Sequence, residues 1–302
     1  MTTVAGRSAY VQLTVDAGED ATEALTNFLW EQGAVGVVED VHLNAPARLR
    51  AFFPVTTASA ALASRVDAYL DGLRALGLSV GAAALVAPLA DTDWAAAWRE
   101  HFRPIAVGRR LLVTPPWELP ATSERIVLAI EPGRAFGTGH HGTTAGCLEL
   151  LEGLVATDHP SRALDLGTGS GILAIAAARL GVGDVLACDT DPDAVAATEG
   201  NVARNGIGDR VRAVLADVAS LAAAPAPLVL ANLLAAAHRA LAPRYRELVA
   251  AGGVIVIGGL LDAEGDEIAA VLAAHGFRRE ATRSFEGWTS IALRHAPLHA
   301  SA

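Results

Sequence analysis

Residues 162–181 read RALDLGTGSGILAIAAARLG. RALDLG is a short, mostly apolar run that stops at a glycine, which predicts a buried strand. GILAIAAARLG is apolar on nearly every side and ends at Gly181, which predicts a buried helix. Between them Gly167, Gly169 and Gly171 predict a tight strand-to-helix turn, because glycine takes positive φ without the penalty of a Cβ. A strand feeding a helix through such a turn is half of a βαβ unit. The fold then depends on whether the rhythm repeats.

It does. Downstream, DVLACDTD predicts a strand and PDAVAATEGNVARNG a helix, with Pro192 in the first turn and Asp191 as its cap. VRAVLAD and PLVLANLL predict strands, AAAHRALAPRYRELVAAGG a helix, VIVIGGLL a strand and EGDEIAAVLAAHG a helix. RREATRSFEG and WTSIALRH predict a closing antiparallel pair. Strands separated by helices imply an α/β fold with a mostly parallel, doubly wound sheet. This domain is expected over residues 109–295, opening on the strands RLLVTPPW and RIVLAIEPG, with 296–302 as a loose tail.

Upstream, residues 1–90 read strand, helix, strand, strand, helix, strand, the ferredoxin-like α+β order. The first helix, DATEALTNFLWEQG, has Asp20 as expected N-cap and Gly33 as stop signal. The segment 91–108, containing DTDWAAAWREHFRP, is expected as a linker helix with Trp94 and Trp98 on one face and Pro104 as its terminator.

Composition narrows the chemistry. No apolar run is long enough for a membrane span, and MTTVAGRSAYVQL lacks the basic-then-apolar order of a signal peptide. Two isolated cysteines suggest a reduced, cytoplasmic protein without a disulfide framework or thiolate zinc site. All 23 basic residues are arginine, which excludes a Schiff-base lysine and a lysine-bearing phosphate loop. A net charge of −10 argues against nonspecific nucleic-acid binding and suits a basic protein partner better.

In doubly wound sheets ligands bind beyond the carboxyl ends of the strands. The glycine turn lies there, and its Gly-x-Gly-x-Gly pattern resembles an S-adenosylmethionine loop. A nicotinamide fingerprint would need glycine where Ile172 stands. Asp189 follows Gly169 by 20 residues at the end of the next strand, placed to accept ribose hydroxyls. Asp217, ending RAVLAD, is a candidate for a purine edge or a solvated loop aspartate. Asn232 ends LVLAN, where an amide can fix a ligand or an incoming amine. Leu233 and Leu234 follow it, without the proline pair and aromatic of base-modifying enzymes.

The segments EPGRAFGTGHHGTTAGCLELLE, LDLGTGSGILAIAA, CDTDPDAVAATEGNVARNG and ANLLAAAHRALAPRYREL together resemble the ribosomal protein L-eleven methyltransferase family (PrmA) over nearly the whole chain. The resemblance implies a Rossmann-like S-adenosylmethionine-dependent methyltransferase domain behind a small substrate-recognition domain. It implies donor contacts at Thr144, Gly167, Asp189 and Asn232, to which the reading above adds Gly169, Gly171 and Asp217. It implies that Phe136, Gly137, Thr138 and Gly139 form a loop beside the sulfonium and substrate. His141 matches the family histidine, while His140 and Gly142 depart from the family's Thr-His-Pro. Adjacent histidines chelate one ion poorly, and with no carboxylate or cysteine cluster no metal is expected. The implied substrate is large-subunit ribosomal protein eleven, methylated on lysines and its N-terminal amine. His141 and Glu131 are candidates by location for taking the amine's proton, as is water. The alternatives are a methyltransferase of another protein, a small amine or RNA, and a non-catalytic donor-binding or ribosome-assembly factor. No direct nucleic-acid readout and no membrane partner is expected.

Overall fold

The computed structural model describes residues 8–40, 47–57, 60–90, 103–132 and 142–296. The chain divides into two compact units, Met1–Phe102 and Arg103–Ala302.

In the first unit the order is β1 (Ser8–Ala17), α1 (Glu19–Glu31), β2 (Gly36–Asp40), β3 (Ala47–Pro54), α2 (Ala60–Ala75) and β4 (Ala84–Ala90). The sheet order is β2-β3-β1-β4, antiparallel throughout. Leu13, Val15 and Ala17 alternate onto the helical side of β1, as a period-two strand requires. Leu62, Val66, Leu70 and Leu73 meet them at helical spacing along α2. Phe28 of α1 stacks on Tyr69 of α2 at 3.9 Å between ring centroids. The cap of α1 is Gly18, not Asp20. The carbonyl of Gly18 accepts the Ala21 and Thr22 N–H groups and the Thr22 hydroxyl, so the chain enters the helix earlier and Asp20 lies within its first turn.

The second unit opens with a three-stranded sheet, β5 (Ile105–Val107), β6 (Leu111–Thr114) and β7 (Ile126–Ala129), with one 3-10 turn at Pro116–Glu118. Of the expected linker helix over 91–108, residues 91–102 lie outside the described residues. Ile105–Val107 form a strand instead, because pairing with Leu111–Val113 buries Val107 against the core. There follow α3 (Gly142–Asp158), β8 (Arg162–Leu166), α4 (Ile172–Leu180), β9 (Asp184–Asp189), α5 (Pro192–Arg204), β10 (Val211–Leu215) and β11 (Ala226–Asn232). The chain closes with α6 (Ala235–Leu248), β12 (Val249–Leu261), α7 (Gly265–Ala274), β13 (Phe277–Phe285) and β14 (Trp288–His295). β12 begins at Val249 rather than Val254, because Val249 pairs with Ala226 and is itself buried.

The seven-stranded sheet has the order β10-β9-β8-β11-β12-β14-β13. The first five strands are parallel, and β14 runs antiparallel to both its neighbours. Alternation divides the core into two layers. Ala163, Val185, Ala187, Leu228, Leu230, Val254 and Val256 face α3, α4 and α5. Leu164, Leu166, Leu186, Val229, Ala231, Ile255 and Ile257 face α6 and α7. Each fully buried Leu, Ile or Val contributes about 1.5–3 kcal/mol of transfer free energy. The helix α4 is buried from Ile172 to Ala178, which explains its near-continuous apolar sequence. Glu152 of α3 is 9% exposed, and its carboxylate accepts the N–H groups of Arg109 (3.0 Å) and Arg110 (3.3 Å), fastening the small sheet to the helix. Among the described residues no helix is long and apolar enough to cross a membrane.

The order of the sheet reverses between β8 and β11. There the connections leave in opposite directions and open a crevice at the carboxyl edge. Gly167, Asp189 and Asn232 all lie on that edge.

Candidate functional site

At the end of β8, Gly167, Gly169 and Gly171 all take positive φ, at 69°, 55° and 82°. A Cβ on Gly167 would overlap the Leu233 side chain, and one on Gly171 would lie 2.8 Å from Thr198 Cγ2. Gly167 and Gly171 are therefore required by conformation and by space together, and Gly169 by conformation. The turn is tied to β9: the N–H groups of Gly167 (2.9 Å) and Thr168 (3.0 Å) both donate to the Cys188 carbonyl. Beneath it lies Asp165, 1% exposed, whose Oδ2 accepts the Thr168 hydroxyl (2.7 Å) and the Ala174 N–H (3.0 Å). Burial pushes its carboxyl up to about 6, against the lowering effect of those two bonds.

Asp189 ends β9. Its Oδ2 accepts the Gly169 N–H at 3.0 Å and its Oδ1 the Asp191 N–H at 3.0 Å. A carboxylate has about four lone-pair sites, so each oxygen keeps capacity for a ligand hydroxyl. Asp191 caps α5 by accepting the Asp193 N–H at 2.8 Å.

Asn232 ends β11 against the first turn of α3. The Thr143 hydroxyl donates to Asn232 Oδ1 at 2.8 Å and accepts the Gly259 N–H. The Asn232 amide donates to Thr144 Oγ1 at 3.4 Å. These bonds fix which edge of the carboxamide carries oxygen, and leave it a second N–H and a second lone pair. Behind this corner the Gly258 carbonyl accepts the Leu233 N–H (3.2 Å) and His238 Nε2 (2.8 Å). Since a carbonyl only accepts, Nε2 carries the imidazole proton. Nδ1 then accepts the Tyr245 hydroxyl at 2.9 Å.

Burial holds His238 below its ordinary value of 6.5, so it is neutral in the folded protein. The unfolded chain binds that proton more readily, so stability is intact above about pH 6.5 and falls as the pH drops from there towards the folded value. His238→Gln keeps a donor for Gly258 and removes the titration. The expected result is that Tm falls less steeply between about pH 7 and 5.5 in this variant than in the unaltered protein. Parallel slopes in differential scanning calorimetry would mean that the imidazole does not carry the acid sensitivity.

The structure brings Gly167, Gly169, Gly171, Asp189, Asn232 and Thr144 to one edge. Thr144 is 1% exposed and sits beneath Asn232. Asp217 lies two residues past β10, exposed, in a turn where its carboxylate accepts the Ala219 N–H at 2.9 Å. Glu131 is ion-paired to Arg204. Phe136, Gly137, Thr138, Gly139, His140 and His141 lie outside the described residues. Sequence reasoning missed Thr143, Asp165, Thr198, Asn201 and His238. The last three carry a legible signal, a polar residue at helical spacing on the otherwise apolar, buried face of α5 or α6. Among the described residues no group of three or more His, Cys, Asp or Glu side chains could hold a metal ion. A cavity of about 480 Å³ beside Asp158, Pro227 and Arg294 lies at the amino ends of the strands, away from these residues.

The arrangement fits an adenosine-bearing methyl donor. The side-chain-free turn admits a ligand to the backbone at the N-terminus of α4, and Asp189 offers acceptors for sugar hydroxyls. Comparison with known proteins agrees. Residues 9–296 match the family model described as Ribosomal protein L11 methyltransferase (PrmA). The chain is 35% identical to the Ribosomal protein L11 methyltransferase of Pelobacter propionicus, over 95% of this chain and 98% of that one. It is 33% identical to that of Lacticaseibacillus paracasei, over 93% and 96% of the two chains. The crystal structure of a ribosomal protein L11 methylase from Lactobacillus delbrueckii subsp. bulgaricus superposes with a TM-score of 0.59 at 30% identity, covering 65% of this chain and all of that one.

Proposed function

The chain belongs to the ribosomal protein L11 methyltransferase family, and from that premise we propose that it transfers methyl groups from S-adenosylmethionine to amine nitrogens of ribosomal protein L11. The amines are lysine side chains and the N-terminal α-amine. When bound, the donor supplies a methyl group already activated on a sulfonium. What remains for the chain is to bind, align and exclude water.

In this reading Gly167, Gly169 and Gly171 receive the donor against the backbone, and Asp189 accepts its ribose hydroxyls. Asn232, held by Thr143, turns its remaining oxygen lone pair to the N–H of the incoming amine. That fixed carboxamide at the carboxyl edge, beside the glycine turn, is the observation that carries the proposal. The amine attacks only when neutral. A lysine at about 10.4 must lose its proton, and an α-amine near 8 does so more readily. Burial beside Asn232 disfavours the charged form of either. Glu131 is engaged with Arg204, which supports water rather than Glu131 as the first proton acceptor. The first unit, with its ferredoxin-like sheet, docks the protein substrate, and the net charge of −10 suits a basic one. The site of action is the cytoplasm.

The test is mass spectrometry of purified ribosomal protein L11 after incubation with this protein and S-adenosylmethionine. Mass steps of one methyl group are expected, and fragmentation locates them on amines. With Asn232→Ala the rate is expected to fall by roughly 10²-fold or more, the scale for losing one preorganised polar group at a reacting centre. No step from a donor-binding preparation, or steps on carboxylates or hydroxyls, would reject amine methylation of this substrate.

A further inference from the structure

The helix α5 and its C-cap turn a row of buried polar side chains, Thr198, Asn201 and the capping Asn205, towards the back of the glycine turn and the end of β7. Their spacings of three and four place them on one face. Thr198 donates to the Gly169 carbonyl at 3.0 Å. Asn205 pairs with both backbone groups of Ala129, accepting the N–H at 3.0 Å and donating to the carbonyl at 2.8 Å, as a neighbouring strand would. Asn201, 1% exposed, joins the two sets. Its Nδ2 donates to the Ser170 carbonyl at 2.9 Å, and its Oδ1 accepts the Glu131 N–H at 2.9 Å. The reverse orientation would set donor against donor and acceptor against acceptor, so the carboxamide has one satisfied position.

The consequence follows from peptide planarity. Thr198 fixes the Gly169–Ser170 peptide and Asn201 the Ser170–Gly171 peptide, both by their carbonyls. Glycines flank Ser170 on each side at positive φ, so this stretch has more conformational freedom to lose than any other part of the turn. Without Asn201 the Ser170 carbonyl loses that buried partner, and of the bonds that set the tilt of this peptide the one from the Gly171 N–H to the Thr168 carbonyl (2.9 Å) stays.

We infer that Asn201 is a positioning residue for donor binding, which holds the glycine turn in its ligand-accepting form from the side opposite the ligand while anchoring it to Glu131. This rests on the donor site proposed above.

Asn205→Ala is the control, since it also removes buried amide bonds from the same helix face but none to the turn. The experiment is calorimetric titration of the full chain with S-adenosylmethionine, together with Tm measured without donor. Asn201→Ala is expected to raise the donor Kd about tenfold, the scale of one buried hydrogen bond left unmade. Asn205→Ala is expected to lower Tm at least as much while changing Kd less than about twofold. Should Asn201→Ala fail to fold, Asn201→Asp keeps an acceptor for the Glu131 N–H but sets a second oxygen against the Ser170 carbonyl, and a rise in Kd at least as large is expected. An equal rise in both positions, or none at Asn201, overturns the inference and leaves the donor site standing. No donor binding by the unaltered protein defeats the donor site and the inference with it.

Discussion

Replacing Gly259 with alanine is expected to destabilise the protein by roughly 3 kcal/mol and to abolish transfer, although Gly259 carries no side chain to contribute. Two effects add. Gly259 has φ of 77°, a region that costs an alanine about 1–2 kcal/mol. Its new Cβ would also overlap the backbone carbonyl carbon and oxygen of Leu233. A side-chain tip can rotate away, but a backbone carbonyl moves only with its chain, and overpacking of this kind costs about 1–3 kcal/mol. The chain that must move is the one carrying Asn232. Gly259 also donates its N–H to Thr143, whose hydroxyl orients the Asn232 carboxamide. The ladder between β12 and β14 breaks register between Ile257 and Leu260, so the kink is built into the sheet and has no regular strand to relax into. Urea denaturation with an unchanged m-value reads the stability loss, and the methylation assay reads the displaced corner. A variant with the original midpoint and rate would show that the kink is not needed.

Asp189→Ala is expected to weaken S-adenosylmethionine binding by at least about 10²-fold. Hydrogen bonds to an ionised group contribute about 1.5–3 kcal/mol each, and two ribose hydroxyls are in question. The carboxylate also fastens the turn, because Gly169 donates its N–H to Oδ2. Asp189→Asn separates the two parts. It keeps the size and an oxygen for Gly169 but loses the charge, so its affinity should fall between those of the alanine variant and the unaltered protein. Titration calorimetry reads both. An affinity unchanged in the alanine variant would remove Asp189 from the donor site.

Much of this architecture is written in short-range sterics. The alternation of Ala163 with Leu164, and of Val229 with Leu230, reports a strand buried on both faces wherever it occurs. Asp191 followed by Pro192 starts a helix for reasons contained in four residues. Three glycines in five positions predict the turn that the structure contains. The boundaries legible in this way are those set by local conformation. Where a boundary depends on a partner, as at Gly18, Ile105 and Val249, the partner decides it.

The candidate site divides along the same line. Gly167, Asp189 and Asn232 were legible because each ends a strand, and the ends of parallel strands share one edge of the sheet. Which groups would partner one another around them was not. Thr143 meets Asn232 across 89 residues, and Asn201 meets Ser170 across 31 and Glu131 across 70. His238 reaches Gly258 from a different element, 20 residues away. A buried hydroxyl, amide or imidazole must find a partner, which can be any complementary group that packing brings within about 3 Å. Residue type therefore determined that these side chains would be bonded if buried. Only the tertiary structure decided to what, because burial and proximity are properties of how α3, α5 and α6 lie on the sheet.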